Sequence, residues 1–346
     1  MKTYTNILLS IYFTGLLLLT GLGFYLQPLR GDLTRIGGFA ENNFAGSKTE
    51  QVFAESLSDY DQYEHYYDVI VMGDSFSQNR QNGWQQWFAN KTGLSITTLH
   101  VNKWSMNDLL EHPVFKAMPP KLLIYETAER NLEKMFVHNT ANCTATSTTR
   151  PAEKIAINAL QQETITRQVE EKNDSHIDYE QAVSFLRANY RQYIQRKPRS
   201  IQLELTSENL FSNAKADSLL VLSRDFTKLD WPSNTLDKSL CALKNMQYQV
   251  QNNGKTWFLS TIAPDKLTAY TPYIQTGAQL PLTLLAKIQA HDGLQYVDLL
   301  GPLQQAIGQH EQDVYFSNDS HWGEAGHRIA AAALLAFLTE QSIVAP

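Results

Sequence analysis

This chain is short of cysteine, of basic residues and of charge in general, and each shortage closes off a class of function. Only Cys143 and Cys241 are present in 346 residues, and the nine histidines are scattered, so no Cys/His cluster has metal-ligand spacing. Lys and Arg number 29 against 35 Asp and Glu, a net charge of −6, which leaves no overall basic footprint for DNA, RNA or anionic lipid. No Gly-rich phosphate loop and no internal repeat is found. Neither a metal nor a cofactor is expected. The charged fraction of 18% is low, and the apolar fraction of 43% is enough for a real core, so the chain is not largely disordered. Its length allows one large domain or two ordinary ones.

Long apolar runs are scarce too, with one exception. Asn6 to Leu26 carries no charge and is about long enough to span a hydrocarbon core. Lys2 and the amino terminus precede it, which favours an amino end in the cytoplasm and the remainder across the membrane. The exit, GFYLQP, has aromatics suited to a membrane interface and no small-x-small cleavage site. Residues 1–26 therefore read as an uncleaved signal anchor. Residues 27–65, rich in Gly, Asn and polar side chains, read as a linker. In an oxidising compartment Cys143 and Cys241 either pair, closing a long loop worth roughly 4 kcal/mol, or stay free.

Tyr66–Gln78, YYDVIVMGDSFSQ, organises the rest. Val69–Met72 is a β-branched apolar run of the length of a strand buried on both faces, and it stops at Gly73-Asp74-Ser75. Such a hydroxyl lies where open α/β sheets form their ligand crevices. Ser75 is then a candidate nucleophile if a base is near; otherwise it is a helix N-cap. A helix over 83–92 follows, with strands over 94–101 and 121–125 and a short helix over 107–115 between them. This is the rhythm of a parallel sheet with crossover helices. The rhythm breaks at a Thr/Asn-rich loop, 138–150, followed by two helical stretches. In the second, Asp178 and Gln181 form a capping-box pattern, and Val183, Leu186, Tyr190, Tyr193 and Ile194 recur at helical spacing. Short strands over 201–206 and 219–223 complete an insertion spanning about 136–240. A helix ending near Gln251, strands over 256–262 and 296–299, and a last helix over 324–341 resume the pattern.

Just before that last helix stands YFSNDSHWGEAG, residues 315–326. Asp319 and His321 share one face if the segment is extended. Asp319 can then orient the imidazole while His321 takes the Ser75 proton. Alternatively, Asp319 simply caps the helix.

GDSFS near the start and DSHW near the end resemble the SGNH-hydrolase superfamily, in its DHHW and alginate O-acetylation (AlgJ/AlgX-like) branch. YETAERNL at 125–132 is similar to the branch's third block, APDKLTAY at 263–270 to its Pro-Asp-Lys…Tyr segment, and VYFSNDSHWGEAGHRIAA to its terminal pattern. The resemblance runs from about Asp68 to Leu335. It implies a flavodoxin-like three-layer α/β/α fold with a central parallel sheet over 66–346, and acetyl transfer to an exported polysaccharide. It further implies Ser75 as nucleophile, His321 as base and Asp319 as its partner, a membrane-bound acyltransferase as acetyl donor, and a single-pass bacterial inner-membrane protein facing the periplasm. Carbohydrate acetylesterase activity, or glycan binding without catalysis, is the alternative. Two departures stand out. In the alginate acetylation proteins Asp-x-His-Trp precedes the serine, whereas here it follows. The usual Gly-x-Asn-Asp block is replaced by Glu126 to Asn131. Oxyanion or substrate-binding candidates are Asp74, Ser105, Arg130, Asn131 and Trp322. Arg130 either supplies positive charge or pairs with Glu126 or Glu129. Trp322 packs by the histidine, forms a sugar platform or is plain core. Lys266 and Tyr270 line the crevice or buttress it.

Overall fold

Alternation within single strands separates the two faces of the central sheet. Val69 and Val71 point into one apolar cluster with Phe88, Leu122, Ile124 and Leu334. Ile70 and Met72 point into another with Leu123, Leu243, Val250 and Phe258. Side chains of a strand alternate between faces, so a strand apolar throughout must be covered on both sides. In the computed structural model, which describes residues 2–25, 30–47, 49–78, 80–136, 150–169, 179–232, 234–275, 284–291 and 293–345, that cover is helical.

In chain order the elements that build the site are α1 (Lys2–Tyr25), α2 (Asp32–Gly37), β1 (Asp59–Tyr60), β2 (Val69–Gly73), α3 (Trp84–Thr92), β3 (Ile96–His100), β4 (Leu122–Ala128), α4 (Tyr179–Asn189), α5 (Thr235–Gln251), β5 (Trp257–Ala263), β6 (Tyr296–Val297) and α6 (Glu324–Glu340). The sheet order is β6-β5-β4-β2-β3-β1, with every pairing parallel. α3 and α6 pack against each other on the first face, and α5 covers the second. This is the expected three-layer α/β/α arrangement.

The chain leaves β2 for β3 on one side and then crosses to β4 on the other. β2 is therefore the topological switch point, where the connecting loops diverge and open a crevice at the carboxyl ends. Each large apolar side chain fully buried in these layers contributes about 1.5–3 kcal/mol. Phe88, with no exposed surface, is a representative anchor, and its truncation to alanine is expected to cost about 3–5 kcal/mol.

Several expectations need correction. β4 runs three residues beyond Tyr125, because Glu126 and Thr127 are buried with polar partners and do not end the ladder. The helix expected over 107–115 is two, Met106–Glu111 and Pro113–Ala117. His112 precedes proline and takes an extended conformation, φ −64° and ψ 134°. Of the two mid-chain helices, only α4 is described. The earlier stretch instead contains a strand, Thr164–Gln168, paired antiparallel with Thr49–Phe53. The loop 138–149 and Asp178 of the expected capping box lie outside the described residues. The short strands Ser200–Glu204 and Ser218–Leu222 form an antiparallel pair.

The linker expected over 27–65 is also structured where it is described. Leu33, Phe44 and Phe53 are buried, and β1 adds an edge strand to the main sheet. Glycine and asparagine serve here as tight-packing residues. At Gly31 a Cβ would lie 1.9 Å from the Asn318 carbonyl oxygen, so no other residue lets the segment approach so closely. Cys241 is disulfide-bonded, and Cys143, the remaining cysteine in the sequence, lies outside the described residues.

Candidate active site

The turn after β2 is held by buried carboxylates on either side. Gly73 ends the strand where a Cβ would lie 2.4 Å from Ser77 Cβ and 3.2 Å from Glu126 Oε2, so a side chain there is excluded. Asp74 Oδ1 accepts the Phe76 N–H at 3.1 Å, capping the single 3₁₀ turn Ser75–Ser77. Its Oδ2 accepts the Ala128 N–H at 2.7 Å and the Asn131 side-chain amide at 2.8 Å. Asp74 thus ties the turn to the end of β4. It is an acceptor in each bond and does not serve as an oxyanion donor. Glu126 Oε2 accepts the Asp74 N–H at 3.1 Å and the Ser77 hydroxyl at 2.7 Å. Burial, then the nearby Asp74, push the Glu126 carboxyl well above its usual range, which favours its neutral form.

Ser75 stands half-buried on this turn, with its Oγ 2.8 Å from His321 Nε2. His321 Nδ1 lies 2.6 Å from Asp319 Oδ1, which also accepts the His321 backbone N–H at 3.0 Å. Burial raises the Asp319 carboxyl, but the hydrogen bond and charge of His321 and the Asp32 backbone N–H outweigh it and hold the group well below the usual carboxylate range. The three side chains, 246 residues apart at the extremes, form one hydrogen-bonded chain. Such an arrangement can move a proton off a hydroxyl and stabilise the imidazolium that results.

Two supports of the Asp319 turn lie far away in sequence. Lys266 is fully buried, and its Nζ donates to the carbonyls of Phe316 at 2.7 Å, Ser317 at 3.0 Å and Asp319 at 3.3 Å. Burial pulls its pKa down to about 7, against the opposing pull of Asp319 and Asp32. Lys266 and the equally buried Tyr270 therefore buttress the site and do not line it. The second support is Asp32 at the start of α2. Its Oδ1 accepts the Ser320 N–H at 2.9 Å, its Oδ2 accepts the Ser320 hydroxyl at 2.7 Å, and its own N–H reaches Asp319 Oδ2 at 3.2 Å. Sequence reading missed Asp32, because a polar Gly-Asp in a polar stretch carries no periodic signal.

Residues 220–345 match the family model described as SGNH hydrolase-like domain, acetyltransferase AlgX. That segment is an SGNH hydrolase-like domain of the AlgX kind. No curated protein and no solved structure matches the chain. The AlgX-like segment contains β5, β6, Asp319 and His321, while β2 and Ser75 lie outside it. The sheet joins the two parts, since β5 pairs with β4 and β4 with β2.

The remaining candidates around Ser75, His321 and Asp319 fall elsewhere. Ser105 is the N-cap of Met106–Glu111; its N–H and hydroxyl both go to Asp108, at 3.0 and 2.6 Å, so neither is free for an oxyanion. Trp322 has no exposed surface and packs edge-on against Phe76 at 4.8 Å. It is core, and a sugar cannot stack on it. Arg130 pairs with Asp265 at 2.8 Å, not with Glu126 or Glu129, and lies 5.3 Å from the Phe76 ring centre. Asp225, close to Arg130 at 3.8 Å, is pushed up to about 8 by burial and by Asp265. Arg130 and Lys228 pair with Asp265, and Lys228 also with Glu129. Asn131 receives Arg224 at 2.6 Å on its Oδ1.

Asp32, Asp319 and His321 place potential metal-ligand atoms within 4.8 Å of one another. The Asp carboxylates and His321 Nδ1 are engaged in the bonds described above, so the trio reads as a hydrogen-bonded turn. A cleft of about 1060 Å³ runs along the outer side of this turn, lined by Arg30, Arg80, Phe316, Asp319, Glu324 and Arg328 among others. Ser75 and His321 are not in its lining, while Asp319 is.

Proposed function

We propose that the protein is an O-acetyltransferase that moves an acetyl group onto hydroxyls of an exported polysaccharide, through an acetyl-Ser75 intermediate. The observation carrying this reading is the 2.8 Å approach of Ser75 Oγ to His321 Nε2 with Asp319 behind the ring. The AlgX-type match over 220–345 supports acetyl chemistry and, through the polysaccharide substrates of that family, a glycan acceptor.

In the first half-reaction Ser75 Oγ attacks the acetyl carbonyl of a donor ester while His321 takes its proton. Collapse of the tetrahedral intermediate breaks the donor C–O bond, and His321 returns the proton to the departing alcohol. In the second, a sugar hydroxyl gives its proton to His321 and attacks the acetyl-serine. Ser75 leaves and recovers the proton, so the acetyl group has moved with no net proton change. Asp319 stabilises the imidazolium in both halves. The developing oxyanion needs N–H donors aimed at it, and the Ser75 backbone N–H at the 3₁₀ turn is the candidate.

The donor in this reading is presented by a membrane-bound acyltransferase, and the catalytic domain faces the periplasm. α1 supports that placement. Thr3–Gly23 is 21 residues long with mean hydropathy 1.7, and none of its most apolar window is buried inside the protein. A single-pass inner-membrane anchor would use such a helix.

Acetyl-ester turnover measured with and without acceptor glycans tests the reading. Acetylated glycan formed at the expense of free acetate is expected, and both products should vanish in Ser75→Ala. Turnover to acetate alone, indifferent to every glycan, would make the protein an esterase. Full activity of Ser75→Ala in cells would make it a non-catalytic glycan-binding factor.

A further inference from the structure

The apolar residues that recur along α4 do not face the core. Val183, Leu186 and Tyr190 are exposed, and in the π-helical turn that continues the helix, Tyr190–Ile194, Tyr193 and Ile194 are 69% and 68% exposed. Ala188, buried on this helix, packs beside Gly38 at the end of α2, and the exposed stripe is on the side of the helix away from it. Residues 187–199 also hold Arg187, Arg191, Arg196, Lys197 and Arg199 without one Asp or Glu. The overall negative charge of the chain hides this local basic cluster.

α4 also touches the end of α1. The Tyr179 hydroxyl lies 3.1 Å from Thr20 Oγ1, and the apolar span ends at Gly23. Three residues of helix rise about 4.5 Å, which sets the start of α4 near the boundary between headgroups and acyl chains. Tyrosines at that depth, an apolar stripe and flanking arginines are what a helix lying in the membrane surface requires.

We propose that α4, its π-helical continuation to Ile194 and the basic segment that follows to Arg199 form a membrane-surface element that seats the domain on anionic phospholipid headgroups beside α1. It rests on the anchor reading of α1. Tyr193 and Ile194 enter the boundary region while the basic residues meet lipid phosphates, which holds the domain at a set orientation above the bilayer. A lipid surface fits better than a protein groove because the apolar stripe is continuous with a span that itself must lie in lipid.

The test uses the full chain in vesicles of phosphatidylglycerol and phosphatidylethanolamine, with a nitroxide on Ile194→Cys. The expected result is a several-fold excess of oxygen over nickel-chelate collision at this site. That excess should fall in the triple variant Arg187→Glu, Arg191→Glu, Arg196→Glu and at high salt. Protein retained by the vesicles after alkaline washing, but with the label open to nickel, would overturn the inference and leave the anchor intact. Loss of the protein on washing would overturn both. Shielding seen in native membranes but not in vesicles would assign the face to a protein partner and equally overturn it.

Discussion

The backbone N–H of Asp32 lies 3.2 Å from Oδ2 of Asp319, 287 residues later in the chain. The short helix α2, which follows α1, thus closes over the carboxylate bonded to the His321 ring. Asp32 also caps Ser320 through both oxygens, so the triad turn is clamped between α2 in front and Lys266 behind.

Asp32→Ala leaves the Ser320 N–H and hydroxyl without their acceptor and lets the turn drift. Turnover is expected to fall roughly tenfold to a hundredfold, because misplacement by about 1 Å is costly. KM should change little, since Asp32 acts through Ser320 and Asp319. Asp32→Asn, which keeps one acceptor, should recover most of the loss. Steady-state kinetics on the three proteins check this; equal losses in Ala and Asn would mean that the charge, not the clamp, matters.

Lys266 offers a pH test. Its folded-state pKa is lowered to about 7 from an ordinary value near 10.5. A base depressed in this way contributes stability above the unfolded pKa and loses it as pH falls toward the folded one. Relative to Lys266→Met, the wild type should therefore gain stability between pH 7 and pH 10, by an amount on the order of a few kcal/mol. Urea unfolding of both proteins across that range measures it. A difference independent of pH would show that Lys266 is charged throughout.

Burial beneath the Ser75 turn pushes the Glu126 carboxyl up and favours its neutral form. Glu126→Gln should then be nearly silent, with activity within a few-fold of wild type. Glu126→Ala should destabilise the protein by about 2–4 kcal/mol, by removing the acceptor of the Asp74 N–H and Ser77 hydroxyl and leaving a void. Thermal unfolding with an activity assay separates the two variants.

His321→Ala and Ser75→Ala are expected to lower acetyl transfer by about a thousandfold or more each, and the double variant by no more than either alone. Residues acting as one unit are non-additive. Additive losses in single-turnover assays would show that the two side chains act separately.

Chain composition and local pattern were informative where one residue type has one physical use. The apolar run Val69–Met72 needed cover on two faces, so it had to be an inner strand, and Gly73 had to end it because Ser77 fills the space a side chain would take. Asp319 and His321 were visible by their two-residue spacing, but they meet on a turn in which Asp319 Oδ1 also accepts the His321 N–H, not on the extended segment expected. Ser105, Arg130 and Trp322 stayed open because their types fit several uses. A capping serine, a paired arginine and a core tryptophan look the same in a string as a donor, a free cation and a platform.

What the sequence alone decided is therefore the parallel α/β layering, the apolar span and the residues able to carry the chemistry. Each follows from period, length or side-chain type within a few neighbours. Folding decided which distant groups meet: Ser75 with His321, Asp32 with Ser320, Lys266 with the Asp319 turn. These meetings depend on sheet order and on close backbone approach, which arise from packing the whole chain and leave no periodic trace along it.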